Sequence, residues 1–261
     1  MSDTKHRASI GEVELAYYDL APNGSSSTNR ETRIILLIHG FASSAQINWI
    51  STGWSDVLRD AGYRVIALDN RGHGDSSKFY SPDDYGPDIF ANDAFGLLDY
   101  LGVELCDVMG FSMGTRITCW MAHQNPSRIR RAIFGGMGSY IFGNRGGYEE
   151  IAQALEIDDP DTIEDKRAAS FRKFADHMGA DKRALAACIR PSKKRITEDM
   201  VAAVTTPVLV AVGSEDEIGG SAEELAAMMP HAQAFVIEGL DHMKSTGAAS
   251  FKKKVLEFLN E

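Results

Sequence analysis

The chain has 261 residues and a net charge of −10, with 27 Lys and Arg against 37 Asp and Glu. That balance disfavours a nucleic-acid or anionic-membrane partner, because phosphate binding needs clustered cations. Hydrophobic residues make up 44%, which supports one large α/β domain or two small ones and argues against disorder. The longest uninterrupted apolar run near the N-terminus is 34–38, far short of a membrane span. The first twenty residues are mixed and polar, so no signal peptide is expected. Cys106, Cys119 and Cys188 form neither a CxxC nor a zinc spacing, as expected of reduced thiols in a cytoplasmic protein.

Residues 12–19 alternate apolar and polar and are expected to form an early, exposed strand. Residues 22–32 (PNGSSSTNRET) are a polar loop rich in turn formers. A buried strand is expected at 33–38, a helix at 49–61 closed by Gly62, and a second short buried strand at 64–68. Residues 88–102 (DIFANDAFGLLDYLG) are expected to form a helix ending at Gly102. Strand 106–109, helix 113–124 before Pro126, and strands 131–134, 208–212 and 234–237 complete the pattern. Continuous apolar strands separated by helices predict an α/β fold, with a mostly parallel central sheet flanked by helices. Residues 139–205 break the rhythm. They hold only helix-like pieces, with Tyr140, Phe142, Tyr148, Phe171 and Phe174 among them. They are expected to form a small helical cap inserted after the sixth strand, over a core of residues 1–138 and 206–261. The basic cluster 190–195 (RPSKKR) is expected to be a solvated loop at the edge of that insertion.

Residues 108–116 (VMGFSMGTR) place one hydroxyl between two glycines, where a strand gives way to a helix. A sharp strand-to-helix turn strains its central residue, and side chains two positions away would collide with neighbouring elements. Gly110 and Gly114 remove those side chains. Ser112 is then exposed at the carboxyl edge of the sheet, above the unpaired N–H groups of a new helix. This is the arrangement of a nucleophile elbow. A serine hydroxyl needs a base, and the chain has seven histidines. Only His242, in IEGLDHM (237–243), follows the last strand onto the same edge. His6 lies in the polar N-terminus, His123 is near a helix end, and His177 and His231 look like surface positions.

The third member must hold the imidazole's tautomer. Strand 208–212 runs into GSEDEI (213–218), which brings Asp216 to that edge; Glu215 and Glu217 flank it. The loop after the preceding strand, FGGMGSY (134–140), has no carboxylate. Asp241 adjoins His242, but adjacent side chains of an extended loop point in opposite directions, so it is expected to face away. The order Ser112, Asp216, His242 is the one this strand–turn–helix arrangement uses.

On these residues the chain resembles the α/β-hydrolase family, esterase-like branch, over about residues 30–261. LLIHGFASS (36–44) resembles the family's oxyanion-loop motif, and LDNRGHGDS (68–76) a structural motif of the same family. The resemblance implies that the backbone N–H groups of Phe41 and Met113 form an oxyanion hole, that His39 and His73 are structural, and that no metal or organic cofactor is needed. Dehalogenases and epoxide hydrolases of this fold carry aspartate where this chain has Ser112. The serine therefore points to acyl transfer through an acyl-enzyme. No P-loop, no HExxH and no GxGxxG after a strand is found, since Ile141 stands where GGMGSY would need its third glycine.

Phe41, Met113, Met137, Tyr140 and cap aromatics are expected to wall the pocket. Phe41, Met137 and Tyr140 are the expected substrate contacts. With no basic cluster evidently facing inward, the expected substrate is a small to medium apolar acyl ester. Two rivals stand beside it. One is another reaction on the same triad: carbon–carbon bond hydrolysis, lactone opening or perhydrolysis, since GFSMGT also resembles the elbow of cofactor-free haloperoxidases. The other is a receptor-like ligand-binding protein with little turnover. A fluorophosphonate label on Ser112 separates enzyme from binder.

Overall fold

The computed structural model describes residues 4–24, 33–143, 146–190 and 194–261. Eight strands form one sheet: β1 (Lys5–Ile10), β2 (Val13–Leu20), β3 (Arg33–Ile38), β4 (Tyr63–Leu68), β5 (Cys106–Phe111), β6 (Ile129–Gly135), β7 (Val208–Gly213) and β8 (Ala232–Ile237). Their order across the sheet is β1-β2-β4-β3-β5-β6-β7-β8. β1, β2 and β4 pair antiparallel, and every pairing from β4 through β8 is parallel. The central strands are apolar throughout because both of their faces are covered. In β3, Leu36 and Ile38 join one core layer while Ile35 and Leu37 join the other, as the two-residue side-chain period requires.

Two departures occur at the N-terminal edge. β1 escapes sequence detection because Ala8 is its one buried residue, so it shows no apolar stripe. β2, expected to be exposed, is mostly buried because it sits between β1 and β4. The expected loop 22–32 falls largely outside the described residues.

Helices α1 (Trp54–Asp60), α2 (Pro87–Tyr100) and α3 (Met113–Gln124) follow the first strands of the parallel set. α1 and the C-terminal helix α10 (Ala249–Leu259) pack Trp54, Leu58, Phe251 and Phe258 against one face of the sheet. α2 and α3 pack Phe90, Leu97, Ile117 and Met121 against the other. The single helix expected at 49–61 is interrupted. A π-helical turn, Gln46–Ile50, ends before Gly53, whose φ of 73° breaks the helical path, and α1 starts at Trp54.

Between β6 and β7 lie α4 (Tyr148–Glu156), α5 (Lys166–His177), α6 (Lys182–Ile189) and α7 (Glu198–Ala202), with no strand among the described residues. α4, α5 and α6 share an apolar cluster of their own, with Ile151, Leu155, Ala168, Ala175 and Leu185 buried in it. Ala42 and Phe41, from the loop after β3, join that cluster, so it rests directly on the carboxyl edge of the sheet. Buried Arg172 holds the cluster's polar side by donating to the carbonyls of Ala154 and Ile157. After β7 come α8 (Ala222–Ala226) and α9 (His242–Ser245).

Candidate active site

β5 ends at Phe111 and α3 starts at Met113, leaving Ser112 between them with φ 56° and ψ −112°. That left-handed φ is unusual for a residue with a side chain and costs on the order of 1–3 kcal/mol. The surroundings hold it there. The Ser112 N–H donates to Gly135 O at 2.8 Å, and Thr115 Oγ1 donates to Gly135 O at 2.8 Å. A Cβ on Gly110 would lie 2.2 Å from the Gly114 carbonyl oxygen, and one on Gly114 would lie 2.0 Å from Ile38 O. Both are contacts with backbone, which cannot swing aside. Gly114→Ala is therefore expected to cost about 3 kcal/mol or more and to lower the thermal midpoint by roughly 10 °C. A scanning-calorimetry midpoint within 2 °C of wild type would show that α3 can move off β3 freely.

The loop after β3 closes over the same point. Ala42 has φ 59°, turning the backbone just after Phe41. Asn48, buried at the π-helical turn, accepts the Gly40 N–H through Oδ1 at 2.9 Å. His39 Nε2 accepts the Asn70 N–H at 2.9 Å and Nδ1 donates to Gly40 O at 2.8 Å, which fixes its tautomer. Among the described residues the N–H groups of Phe41 and Met113 bond no acceptor. Met113 begins a helix, so its N–H has no partner inside α3.

His39 and His73 sit behind this loop, fully buried, their rings 5.2 Å apart. Burial pushes the His73 pKa down to about 3, and the neighbouring His39 adds to the shift. His39 is lowered chiefly by burial as well. A depressed histidine stays neutral in the folded chain while the unfolded chain takes up its proton below about pH 6.5. Stability is therefore full above that pH and falls as pH drops toward 3. His73 alone should remove about 2 kcal/mol between pH 7 and pH 5, at about 1.4 kcal/mol per pH unit. Urea unfolding at the two pH values tests this, with His73→Gln expected to flatten the slope. An unchanged slope in the variant would overturn the assignment.

β7 and β8 deliver the remaining groups. His242 Nδ1 lies 2.7 Å from Asp216 Oδ2. A carboxylate only accepts, so Nδ1 carries the proton and Nε2 is left as an acceptor. The Asp216 side chain is fully buried; its Oδ1 accepts the N–H groups of Ile218 and Gly219 at 2.8 and 2.9 Å. Phe111 packs against the imidazole, 5.2 Å between ring centres. Asp241 faces away: its Oδ1 accepts the Lys244 N–H at 2.9 Å and caps α9. Glu215 and Glu217 are exposed. No hydrogen bond joins Ser112 Oγ to His242 among the described residues. Such bonds are often long without substrate and tighten when it binds.

Ser112 and His242 open into one cavity of about 710 Å³, whose wall includes Phe41, Met113, Met137 and Tyr140. Phe142, Tyr148, Phe171 and Phe174, from the segment between β6 and β7, line it too. Sequence reasoning missed several wall residues. Asn48 and Phe111 act through long-range contacts that no local pattern announces. Arg116 follows Met113 by three residues, which puts both on one face of α3. Residues 194 and 195 also line the cavity, so this end of the basic cluster is not a loop facing only solvent, while 191–193 lie outside the described residues. The buried thiols are unsuited to nucleophilic work: burial pushes Cys106 and Cys119 up to about 12. The described residues contain no group of three or more His, Cys, Asp or Glu side chains suited to a metal ion. No helix among them is long and apolar enough to cross a membrane.

A mostly parallel sheet with a strained serine at one strand end, and with a His–Asp pair on the same edge, defines the α/β-hydrolase class. The chain matches the alpha/beta hydrolase fold family over residues 33–175, more than half its length, and belongs to that family. It is 27% identical over 248 residues to the 2-hydroxymuconate semialdehyde hydrolase of Pseudomonas putida, covering 87% of this chain and 86% of that protein. It is 34% identical over 121 residues to epoxide hydrolase B of Mycobacterium tuberculosis, covering 43% of this chain and 32% of that protein. The match thus spans about a third of the length of that epoxide hydrolase. A thermophilic esterase from Thermogutta terrifontis shares the fold, with a TM-score of 0.74, 22% identity and 98% of each chain covered.

Proposed function

We propose that this α/β hydrolase cleaves carboxylic esters through an acyl-enzyme on Ser112. The observation that carries the reading is the 2.7 Å His242–Asp216 pair opening onto the same cavity as the strained, glycine-flanked serine. In this reading His242 Nε2 takes the Ser112 proton as Oγ attacks the carbonyl. The free N–H groups of Phe41 and Met113 receive the oxyanion, each worth roughly 3 kcal/mol. His242 then protonates the leaving alcohol, and water repeats the cycle on the acyl-enzyme. Asp216 keeps the proton on Nδ1 throughout and stabilises the imidazolium.

Phe41, Met137 and Tyr140 are the proposed substrate contacts, and a cavity of about 710 Å³ suits a medium-sized acyl ester. Residues 139–205 are proposed as a cap over that cavity, supported by the apolar cluster that α4, α5 and α6 share with the loop after β3. A cytoplasmic setting is supported by the three unpaired cysteines. A carbon–carbon bond hydrolase is the second reading, favoured by the match along most of the length of the semialdehyde hydrolase.

The test is a fluorophosphonate label read by intact mass and peptide mapping, paired with a panel of ester chain lengths, lactones and diketones. Labelling at Ser112 with ester turnover is expected. No label at Ser112 would remove the serine reading. A label with turnover of diketones alone would favour carbon–carbon hydrolysis.

A further inference from the structure

The chain carries an excess of acids, 37 against 27 basic residues, yet the wall of the Ser112 cavity reverses that balance. Six basic side chains line it among the described residues: Arg116, Lys166, Arg167, Arg190, Lys194 and Arg195. Among the described residues Glu217 is the one acidic residue on the wall. Chance would put more acids than bases there.

Some of these charges are neutralised by acids outside the wall. Arg190 pairs with Glu149 and Glu156, and Lys194 pairs with Asp88. Lys166 and Arg195, both exposed, and the half-buried Arg116 and Arg167 have no such acid among the described residues. Arg116 donates to the carbonyls of Ile141 and Tyr140, each at 3.0 Å, and weakly to the Tyr148 hydroxyl at 3.4 Å. Arg167 donates to Gly146 O at 3.1 Å, and its buried Nε has no partner. Neither forms an ion pair among the described residues. Both therefore face the cavity with their charge uncompensated by a carboxylate.

Placement strengthens the point. Arg116 lies on the first turns of α3, one helical turn beyond Met113, whose N–H is the proposed oxyanion donor. Arg167 lies on α5 with Ser170, Phe171 and Phe174, which share its cavity-facing side. A cation held by carbonyls at a half-buried position in the cavity wall attracts an anion more strongly than one in open solvent, because water and salt screen it less there. A planar guanidinium matches a carboxylate in a two-pronged geometry.

We propose that the substrate carries a free carboxylate besides the bond that is cut, and that Arg116, assisted by Arg167, binds it. This rests on the hydrolase reading above only for which bond is cut. It departs from the small to medium apolar acyl ester expected from sequence, where no basic cluster evidently faced inward.

The experiment compares two matched pairs, 4-nitrophenyl hydrogen glutarate against its methyl ester, and 4-acetoxybenzoate against its methyl ester. The first pair places the carboxylate on the acyl side and the second on the leaving group. In at least one pair kcat/KM should favour the anion by about 10- to 100-fold, as one charge-assisted pair at a half-buried position allows. Arg116→Gln should cut that preference by at least tenfold. If Arg116 merely braced the turn at residues 139–142, both members of a pair would fall together and the ratio would stay. Equal or better turnover of both methyl esters would overturn the proposal. Should no ester react, calorimetric binding of glutarate to Ser112→Ala decides the matter. Binding that Arg116→Gln removes supports the anion site although the esterase reading has failed, and absence of binding ends the proposal.

Discussion

Replacing Ser112 with alanine is expected to lower kcat on an activated ester by about 10⁴- to 10⁶-fold, the scale seen when a nucleophile is removed from a triad. The fold should be unaffected. The hydroxyl makes no hydrogen bond among the described residues, and the turn is held by Ser112 N–H, Thr115 and the two glycines instead. Alanine meets the same backbone strain at φ 56°, so the thermal midpoint should stay within a few degrees. A small residual rate would remain from binding and from the proposed oxyanion donors, the Phe41 and Met113 N–H groups. Retention of more than about 1% of kcat, with wild-type contamination excluded by active-site titration, would mean that another group attacks the carbonyl.

Much of this architecture is legible in the chain because its strands are short, apolar and bounded by turn residues. β3 and α3 fall where periodicity places them. The elbow is legible because its constraint is local: a strand, two glycines that admit neighbouring backbone, and a helix. Asp216 rather than Asp241 beside His242 also follows from a local rule, the alternation of side chains along a loop. What failed to show depends on contacts distant in sequence. β1 is a strand because β2 offers it an edge, and its own residues bury only Ala8. Asn48 orients the loop after β3 through one hydrogen bond to Gly40, and an asparagine in a mixed segment gives no sign of that. The basic lining is the largest omission. Arg116, Arg167 and residues 194–195 come from three separate stretches, and only the packing of α4, α5 and α6 over the sheet edge gathers them around one cavity. Charge counted along the chain gave the opposite sign from charge counted around the site.

Asp216→Asn and Asp241→Asn should differ by orders of magnitude, although both alter a carboxylate in the loops that hold His242. Asp216 uses both oxygens: Oδ1 receives two backbone N–H groups and Oδ2 receives His242 Nδ1–H at 2.7 Å. An asparagine that keeps its oxygen on Ile218 and Gly219 must turn its NH₂ toward the imidazole. Two donors then face each other, and the ring relieves the clash by moving its proton from Nδ1 to Nε2. With a proton on Nε2 the ring cannot accept the one on Ser112, so kcat should fall by about 10⁴-fold while KM changes little. Asp241 accepts the Lys244 N–H and, through Oδ2, holds the Lys244 ammonium at 2.9 Å, in an exposed position. Asparagine caps a helix nearly as well as aspartate, and an exposed ion pair contributes at most about 1 kcal/mol. Asp241→Asn should therefore keep kcat within about twofold of wild type. Both constants are measured on one activated ester, with circular dichroism to confirm that each variant is folded. If Asp241→Asn were the crippled variant, the imidazole would take its orientation from α9 itself, and the buried Asp216 would serve only to close the turn at Ile218 and Gly219.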